Sequence, residues 1–278
     1  MLAPEMGLVG GWAQVARATF VRDMWSAISY RAGFLLTFGG SILNILSVFF
    51  LANAFGRNVA LPPERYGDSY FAFAVVGVAF SSFMAVGLTG IGSRIREGQT
   101  MGTLELMLLS PNRLGVLLFS SSLWGHAQAL VTLLVYVLAG AVLGMDLGRA
   151  NVPMAFASIT LAVVAFNALG LISASFVIVI KQGNPVSLVV GLASALLGGV
   201  LYPTSVLPDW LRAIGQFLPL THALELVRGS IIAGQGIAEL WEPFVSLAAL
   251  TAVLLPIGLW SCSRAVHIAQ TDGSLAQY

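Results

Sequence analysis

The chain has 278 residues, of which 58% are hydrophobic and only 9% are charged, and its net charge is +1. An average soluble domain has about 45–50% apolar and about 25% charged residues. This composition argues against a soluble enzyme and a disordered chain, and it favours a protein that is solvated by a lipid bilayer. The low net charge and the lack of a Lys/Arg run also argue against nucleic acid as a partner.

Charges divide the chain into six charge-free gaps of 21 to 32 residues. A helix needs about 20 predominantly apolar residues to cross a bilayer, so each gap predicts one membrane span. The interpretation is a single all-α, polytopic transmembrane domain over residues 1–278. Its predicted spans are about 34–55, 70–92, 114–144, 153–180, 186–203 and 243–263.

The distribution of basic residues predicts the orientation of these spans. Six spans place both termini on one side, and with the termini inside, eight basic residues are cytoplasmic and five are outside. Cytoplasmic loops carry the excess of Lys and Arg in membrane proteins. We therefore expect a multi-pass protein of the cell inner (cytoplasmic) membrane with both termini cytoplasmic.

A segment between the second and third predicted spans, at about 100–110, has the pattern of a short cytoplasmic helix. Thr103 is suited to cap this helix and Pro111 to end it. Its apolar face consists of Leu104, Met107 and Leu108. The nearby acids Glu97 and Glu105 fit an anionic membrane surface poorly, which favours a protein partner for this face.

The segment between the fifth and sixth predicted spans, at about 204–234, is irregular. Pro208 and Pro219 each begin a short amphipathic piece, and Tyr202 suits a membrane interface. Two short re-entrant helices on the outer side would fit this pattern, and a simple surface loop is the alternative. Re-entrant backbone needs shelter from protein or from a wet cavity.

Several kinds of chemistry find little support in the sequence. A P-loop needs a lysine directly after glycine, and the one lysine of the chain, Lys181, follows Ile180. The three histidines are too far apart to predict a metal site. His126 is the histidine within a predicted span, so it predicts either an interhelical hydrogen bond or, much less favourably, the base of an intramembrane serine hydrolase.

The two irregular segments resemble those of a known family, the membrane-spanning permeases of type-2 ATP-binding-cassette (ABC) transporters. The first resembles the coupling-helix loop of that family and the second its re-entrant outer segment. The residues that carry the resemblance are Arg96-Glu97-Gly98, Gly102-Thr103-Leu104-Glu105, Ser110-Pro111, Leu201 to Ser205, Leu207-Pro208, Pro219 to Thr221 and Val227 to Gly229. An amphipathic stretch at 12–30 before the first span also agrees with an N-terminal interfacial helix.

The resemblance implies a half-transporter that pairs with a second copy of itself or a paralogous permease and docks a separate ABC ATPase. ATP and Mg would then be held by the ATPase, and this chain would bind no cofactor or metal and have no catalytic residue. The implied coupling residues are Glu97, Gly102, Thr103, Leu104, Glu105, Met107 and Leu108. The implied substrate pathway is lined by Asn44, Phe49, Phe80, Phe83 and Met84, and the re-entrant segment includes Tyr202, Pro203, Pro208, Pro219 and Arg228.

The implied function is export of a drug-like, lipid-linked or polysaccharide substrate. An ATPase-independent membrane channel or scaffold remains the alternative. A P-loop protein encoded beside this chain would favour the transporter.

Overall fold

The computed structural model describes residues 8–29, 31–55, 69–102, 114–180 and 184–271. In this part of the chain all regular structure is helical. The nine α-helices there are α1 (Leu8–Ser29), α2 (Arg31–Phe55), α3 (Tyr70–Thr100), α4 (Leu114–Val142), α5 (Val152–Ile180), α6 (Pro185–Leu197), α7 (Asp209–Gly215), α8 (Pro219–Ile231) and α9 (Trp241–Thr271). A 3-10 turn, Thr204–Val206, lies between α6 and α7.

Four of these helices are long and apolar enough to cross a membrane, and they confirm a polytopic membrane protein. They are α3, the Ser122–Val142 part of α4, α5, and the Trp241–Ala269 part of α9. Two shorter apolar helices, Phe38–Ala54 within α2 and α6, lie in the first and fifth predicted spans. Large exposed side chains such as Leu138 and Trp260 give the helices an apolar outer surface, as lipid contact requires.

The helix within the fifth predicted span, 186–203, is shorter than that span. Helix α6 ends at Leu197 and has 13 residues, which reach about 20 Å of the roughly 30 Å hydrocarbon core. Gly198 caps the helix, and Gly199 then adopts a left-handed φ of +74°, which ends helical geometry. A count of charge-free residues does not detect this turn, because glycine is uncharged.

The second predicted span also has different bounds in the structure. Helix α3 continues beyond residue 92 to Thr100, so the first part of the predicted cytoplasmic loop is helical. Helix α1 begins at Leu8 and ends at Ser29, close to the predicted stretch at 12–30. It packs against α4, where the rings of Phe20 and Trp124 meet edge to face with centroids 5.5 Å apart.

The core of the bundle lies between α3 and α5, with α4, α8 and α9 packed around them. Phe80 and Phe166 are fully buried at this contact, with ring centroids 5.8 Å apart. A Cβ added at Gly170 would overlap the Gly87 carbonyl oxygen, so the two backbones touch here. Small residues allow such close helix crossings in membrane proteins.

Candidate functional site

A cluster of four charged side chains joins α1 to the C-terminal end of α3. Asp23 is only 7% exposed, and its two carboxylate oxygens accept from Arg22 at 2.8 Å and from Arg94 at 2.9 Å. Arg94 also reaches Glu97, one helical turn further on, at 3.2 Å. We call Arg22, Asp23, Arg94 and Glu97 the α1–α3 ion cluster.

The α1–α3 ion cluster was not predicted, although the sequence holds a signal for it. Asp23 falls near the apolar face of α1, where an unpaired carboxylate would be costly to bury. The structure resolves this conflict, because Arg94 approaches from a helix 71 residues away along the chain. A charge on an apolar face is thus a sign of a partner on another helix.

One predicted coupling residue, Glu97, belongs to this cluster, and the other six follow it in the chain. Glu97 is on α3, with a side chain that is 55% exposed. Gly102 follows the α3 cap and adopts a left-handed φ of +66°, so the chain leaves the helix axis there. The other five, Thr103, Leu104, Glu105, Met107 and Leu108, lie outside the described residues, and their roles stay predictions.

At the opposite end of the bundle, Arg228 of α8 holds the backbone that follows α6. Its guanidinium is 2% exposed and donates to the carbonyl oxygens of Gly199 at 2.7 Å, Val200 at 2.7 Å and Phe73 at 3.0 Å. It also lies 3.5 Å from the centroid of the Phe73 ring. The carbonyls of Gly199 and Val200 follow the end of α6 and lack intrahelical partners, and Arg228 donates a hydrogen bond to each of them.

The close approach of Arg228 to α3 depends on a glycine that the sequence analysis missed. A Cβ at Gly77 would overlap both the Val200 carbonyl oxygen and the Arg228 guanidinium. Tyr70, one turn before Phe73, adds a hydrogen bond from its hydroxyl to the Leu201 carbonyl at 2.9 Å. Nothing in the spacing of these residues indicates the contact, since α3 and α8 are about 150 residues apart.

The other residues of the predicted re-entrant segment lie at turns and helix starts. Pro203 precedes the 3-10 turn, Pro208 precedes α7, and Pro219 is in the first turn of α8. The Tyr202 hydroxyl donates to the Leu196 carbonyl. Most of α8 is buried in the bundle, while α7 leaves Trp210 66% exposed.

Of the five predicted pathway residues, the structure brings together Phe80 and Phe83 of α3, whose rings stack with centroids 5.5 Å apart. Asn44 is exposed on α2, and Phe49 is half-buried beside Phe71 of α3, with ring centroids 5.3 Å apart. Phe80, Phe83 and Met84 are all buried in the core. Their selection by resemblance did not take account of which face of α3 is buried, and their role stays a prediction.

The structure shows an interhelical hydrogen bond at His126, as one of its two interpretations predicted. The Nδ1–H group donates to the Ser122 carbonyl at 2.8 Å, and Nε2 accepts from the Asn167 amide of α5 at 3.1 Å. This network assigns the proton to Nδ1. Both ring nitrogens are therefore engaged by groups other than a serine hydroxyl, which argues against the hydrolase interpretation.

A polar cavity of about 350 Å³ lies between the 3-10 turn, α7, α8 and the start of α9. Its lining includes Arg212, Glu225, Glu239 and Glu242. Arg212 donates to the carbonyls of the 3-10 turn, and Glu239 accepts from the Gly236 amide at 2.8 Å. Among the described residues no three His, Cys, Asp or Glu side chains are grouped to hold a metal ion.

Comparison with known proteins shows that this sequence is similar to those of transport proteins. Residues 51–260 match the family model described as ABC-2 family transporter protein. A putative transport permease, YvfS, of Bacillus subtilis (strain 168) is 27% identical over 195 residues, which are 68% of this chain and 76% of the relative. Nodulation protein J of Sinorhizobium fredii (strain NBRC 101917 / NGR234) is 26% identical over 196 residues, 69% of this chain and 74% of the relative.

Proposed function

Because the chain belongs to the ABC-2 family of transporter proteins, we propose that two copies of it form the membrane part of an ATP-driven exporter. The family match over residues 51–260 is the observation that carries this proposal. A permease of this family is the transmembrane subunit of an ABC transporter, and the family generally works with an ATPase subunit. The pairing of two copies, or of this chain with a paralogue, and the direction of transport are our proposals.

The ATPase is a separate chain in this proposal. The sequence has one lysine, Lys181, and it does not follow a glycine, so a P-loop cannot be formed here. ATP and Mg are held by the partner, and this chain contributes no catalytic residue and no cofactor. Its own part is to convert the movement of the ATPase into a movement of the spans.

The α1–α3 ion cluster supports a coupling role for the segment that follows α3. Asp23 fixes α1 to Arg94, eight residues before Gly102, where the chain turns away from the helix. A force on the predicted coupling helix at 100–110 therefore reaches both α1 and α3. ATP-driven closure of the partners would draw the two coupling helices together and switch the dimer between inward- and outward-facing arrangements.

The substrate pathway is proposed to run between the two copies, along the first, second and fifth spans. Helices α2 and α6 have apolar faces that are open in one protomer, with Leu43 67% and Leu192 58% exposed, which supports contact with a second copy or with substrate. The proposed substrate is a drug-like, lipid-linked or polysaccharide molecule. The proposed orientation places both termini in the cytoplasm and α7 on the outer side.

Affinity purification from the native membrane tests the partner directly. The tagged chain is extracted in a mild detergent, and the co-purifying chains are identified and quantified by mass spectrometry. We expect one P-loop ATPase chain per permease copy. Glu105→Arg is expected to abolish its recovery, because the charge reversal lies on the proposed docking helix.

Glu242→Arg is the matched control, because Glu242 is an exposed carboxylate at the start of α9, on the proposed outer side. This variant is expected to retain the ATPase. If the intact permease is recovered without an ATPase, the channel or scaffold interpretation replaces the exporter. Equal loss of the ATPase in both variants would contradict the assignment of residues 100–110 as the docking segment, but it would leave the exporter proposal standing.

A further inference from the structure

A second cavity, of about 330 Å³, lies between α2, α3 and α4 and is open on one side, where Ser82 is exposed. This volume falls at the lower end of the range of small-molecule pockets. Polar side chains on its wall are Ser41, Ser82, Gln128, Thr132 and Tyr136. Gln128 lies within the Ser122–Val142 part of α4, the part that is long and apolar enough to cross a membrane.

The side chain of Gln128 has no hydrogen-bond partner among the residues that the structure describes. Two of its polar neighbours do have partners. Ser82 donates to the Val78 carbonyl at 3.1 Å, and Thr132 donates to the Gln128 carbonyl at 3.0 Å. An unpaired carboxamide is costly at membrane depth, where bulk water is absent.

The lining of this cavity also defines the chemistry of a fitting ligand. None of the lining side chains is charged, so the cavity offers no ion pair to a charged headgroup. Gln128 offers two donors and one acceptor, which match a hydroxyl or an amide. The apolar part of the wall includes Phe83, Val86 and Ala129 and suits the start of a hydrocarbon chain.

We propose that this cavity is a binding site for the neutral, hydrogen-bonding headgroup of an amphiphile, with the Gln128 carboxamide as its principal partner. The site goes beyond the proposed export function and does not depend on it. An ATPase partner and a dimer are not needed for binding. Failure of this proposal therefore leaves the exporter untouched.

Photo-crosslinking in nanodiscs of phosphatidylcholine tests the site. The probe is a monoacylglycerol with a diazirine near its headgroup, and the comparison probe carries a trimethylammonium headgroup on the same chain. Labelled peptides are mapped by mass spectrometry. We expect the neutral probe to label the cavity segments of α3 and α4 saturably, with competition by unlabelled monoacylglycerol, and the cationic probe to label them at least threefold less.

Three variants test the role of the Gln128 carboxamide. Gln128→Leu keeps a similar volume but removes the hydrogen bonds, and it is expected to lower saturable labelling about three- to tenfold, as for the loss of a neutral hydrogen bond. Gln128→Asn keeps the carboxamide and should retain more labelling than Gln128→Leu. Asn53→Leu removes a carboxamide from an exposed position of α2 outside the cavity lining and should label as the unaltered protein does.

Three outcomes would overturn the proposal. The first is labelling of the cavity segments that is not saturable, which would mean that the cavity holds water only. The second is equal labelling by the two probes. The third is Gln128→Leu protein that elutes as a folded species and is labelled as strongly as the unaltered protein. If Gln128→Leu does not fold, the competition experiment and Gln128→Asn still decide the result.

Discussion

The two ends of the bundle each hold a buried charge, but they hold it in different ways. At the end of α3, Asp23 and Glu97 bind arginine through carboxylates, so opposite charges meet across two helices. At the end of α6, Arg228 binds carbonyl oxygens of interrupted backbone. An ion pair can be rebuilt with its charges exchanged, whereas a guanidinium that binds several carbonyls has no simple replacement. The ion pairs suit a contact between helices that can rearrange, and the Arg228 hydrogen bonds suit a contact that stays fixed.

The largest effect is expected from Arg228→Met. The apolar side chain leaves the carbonyls of Gly199 and Val200 without this donor, and each unsatisfied buried group costs about 1–3 kcal/mol. We expect a loss of about 2–6 kcal/mol in the free energy of unfolding for these two carbonyls together, measured by thermal unfolding of the purified protein. Arg212→Met is the matched control, because Arg212 also donates to carbonyls but is 40% exposed, so water can replace it. Equal losses of unfolding free energy in both variants would show that the burial of Arg228 does not make its hydrogen bonds more important than those of Arg212.

A smaller effect is expected from Gly77→Ala, which alters the contact of α3 with Arg228 and Val200. The added Cβ overlaps the Val200 carbonyl and the Arg228 guanidinium, and forced repacking of a tight core costs about 1–3 kcal/mol. Gly90→Ala, on the same helix, places its Cβ in open space and should be neutral or slightly stabilising. Thermal unfolding measures both variants. A melting temperature for Gly77→Ala that matches Gly90→Ala would show that the contact can relax.

The smallest effect on stability is expected from Asp23→Asn, which breaks the α1–α3 ion cluster. Arg94 is 33% exposed and keeps its ion pair with Glu97. We therefore expect the free energy of unfolding to fall by about 1–2 kcal/mol, which is less than the 3–5 kcal/mol lost when a fully buried ion pair is broken. The larger change is expected in coupling: ATP hydrolysis by the reconstituted complex should continue while transport per ATP falls. The double variant with exchanged charges, Asp23→Arg with Arg94→Asp, should recover part of the lost transport per ATP.

Arg22→Gln is the control for the ion cluster, since Arg22 is 62% exposed and an exposed ion pair contributes about 0–1 kcal/mol. Its transport per ATP should stay near that of the unaltered protein. Unchanged coupling in Asp23→Asn would reduce the ion cluster to a local packing feature.

The sequence predicts the apolar helices well and the contacts between them poorly. Charge-free gaps report length and hydrophobicity, and these decide whether a helix such as α5 can cross a bilayer. They do not report where a helix stops for a backbone reason, so α6 was predicted to run past Gly199. Resemblance indicated Arg228 as a residue of the outer segment but gave no sign of its bonds to Phe73.

The α1–α3 ion cluster and the cavity at Gln128 show the same limit. Each joins helices that are far apart in the chain, and no local period encodes which faces will meet. Asp23 could be recognised as out of place on its helix, but its partner could not be identified before α1 and α3 were packed. Gln128 is inconspicuous in the sequence, and its missing partner becomes visible only when the walls of the cavity are known.

The contact of Gly87 with Gly170 has a thermodynamic consequence. Ordering a long side chain at a helix crossing costs up to about 2 kcal/mol in rotamer entropy, and glycine has no rotamers to lose. Backbone atoms that touch at this crossing gain dispersion attraction without that cost. The association of α3 with α5 is therefore favoured by an absence of side chains at its centre, and the aromatic rings of Phe80 and Phe166 add their contact beside it.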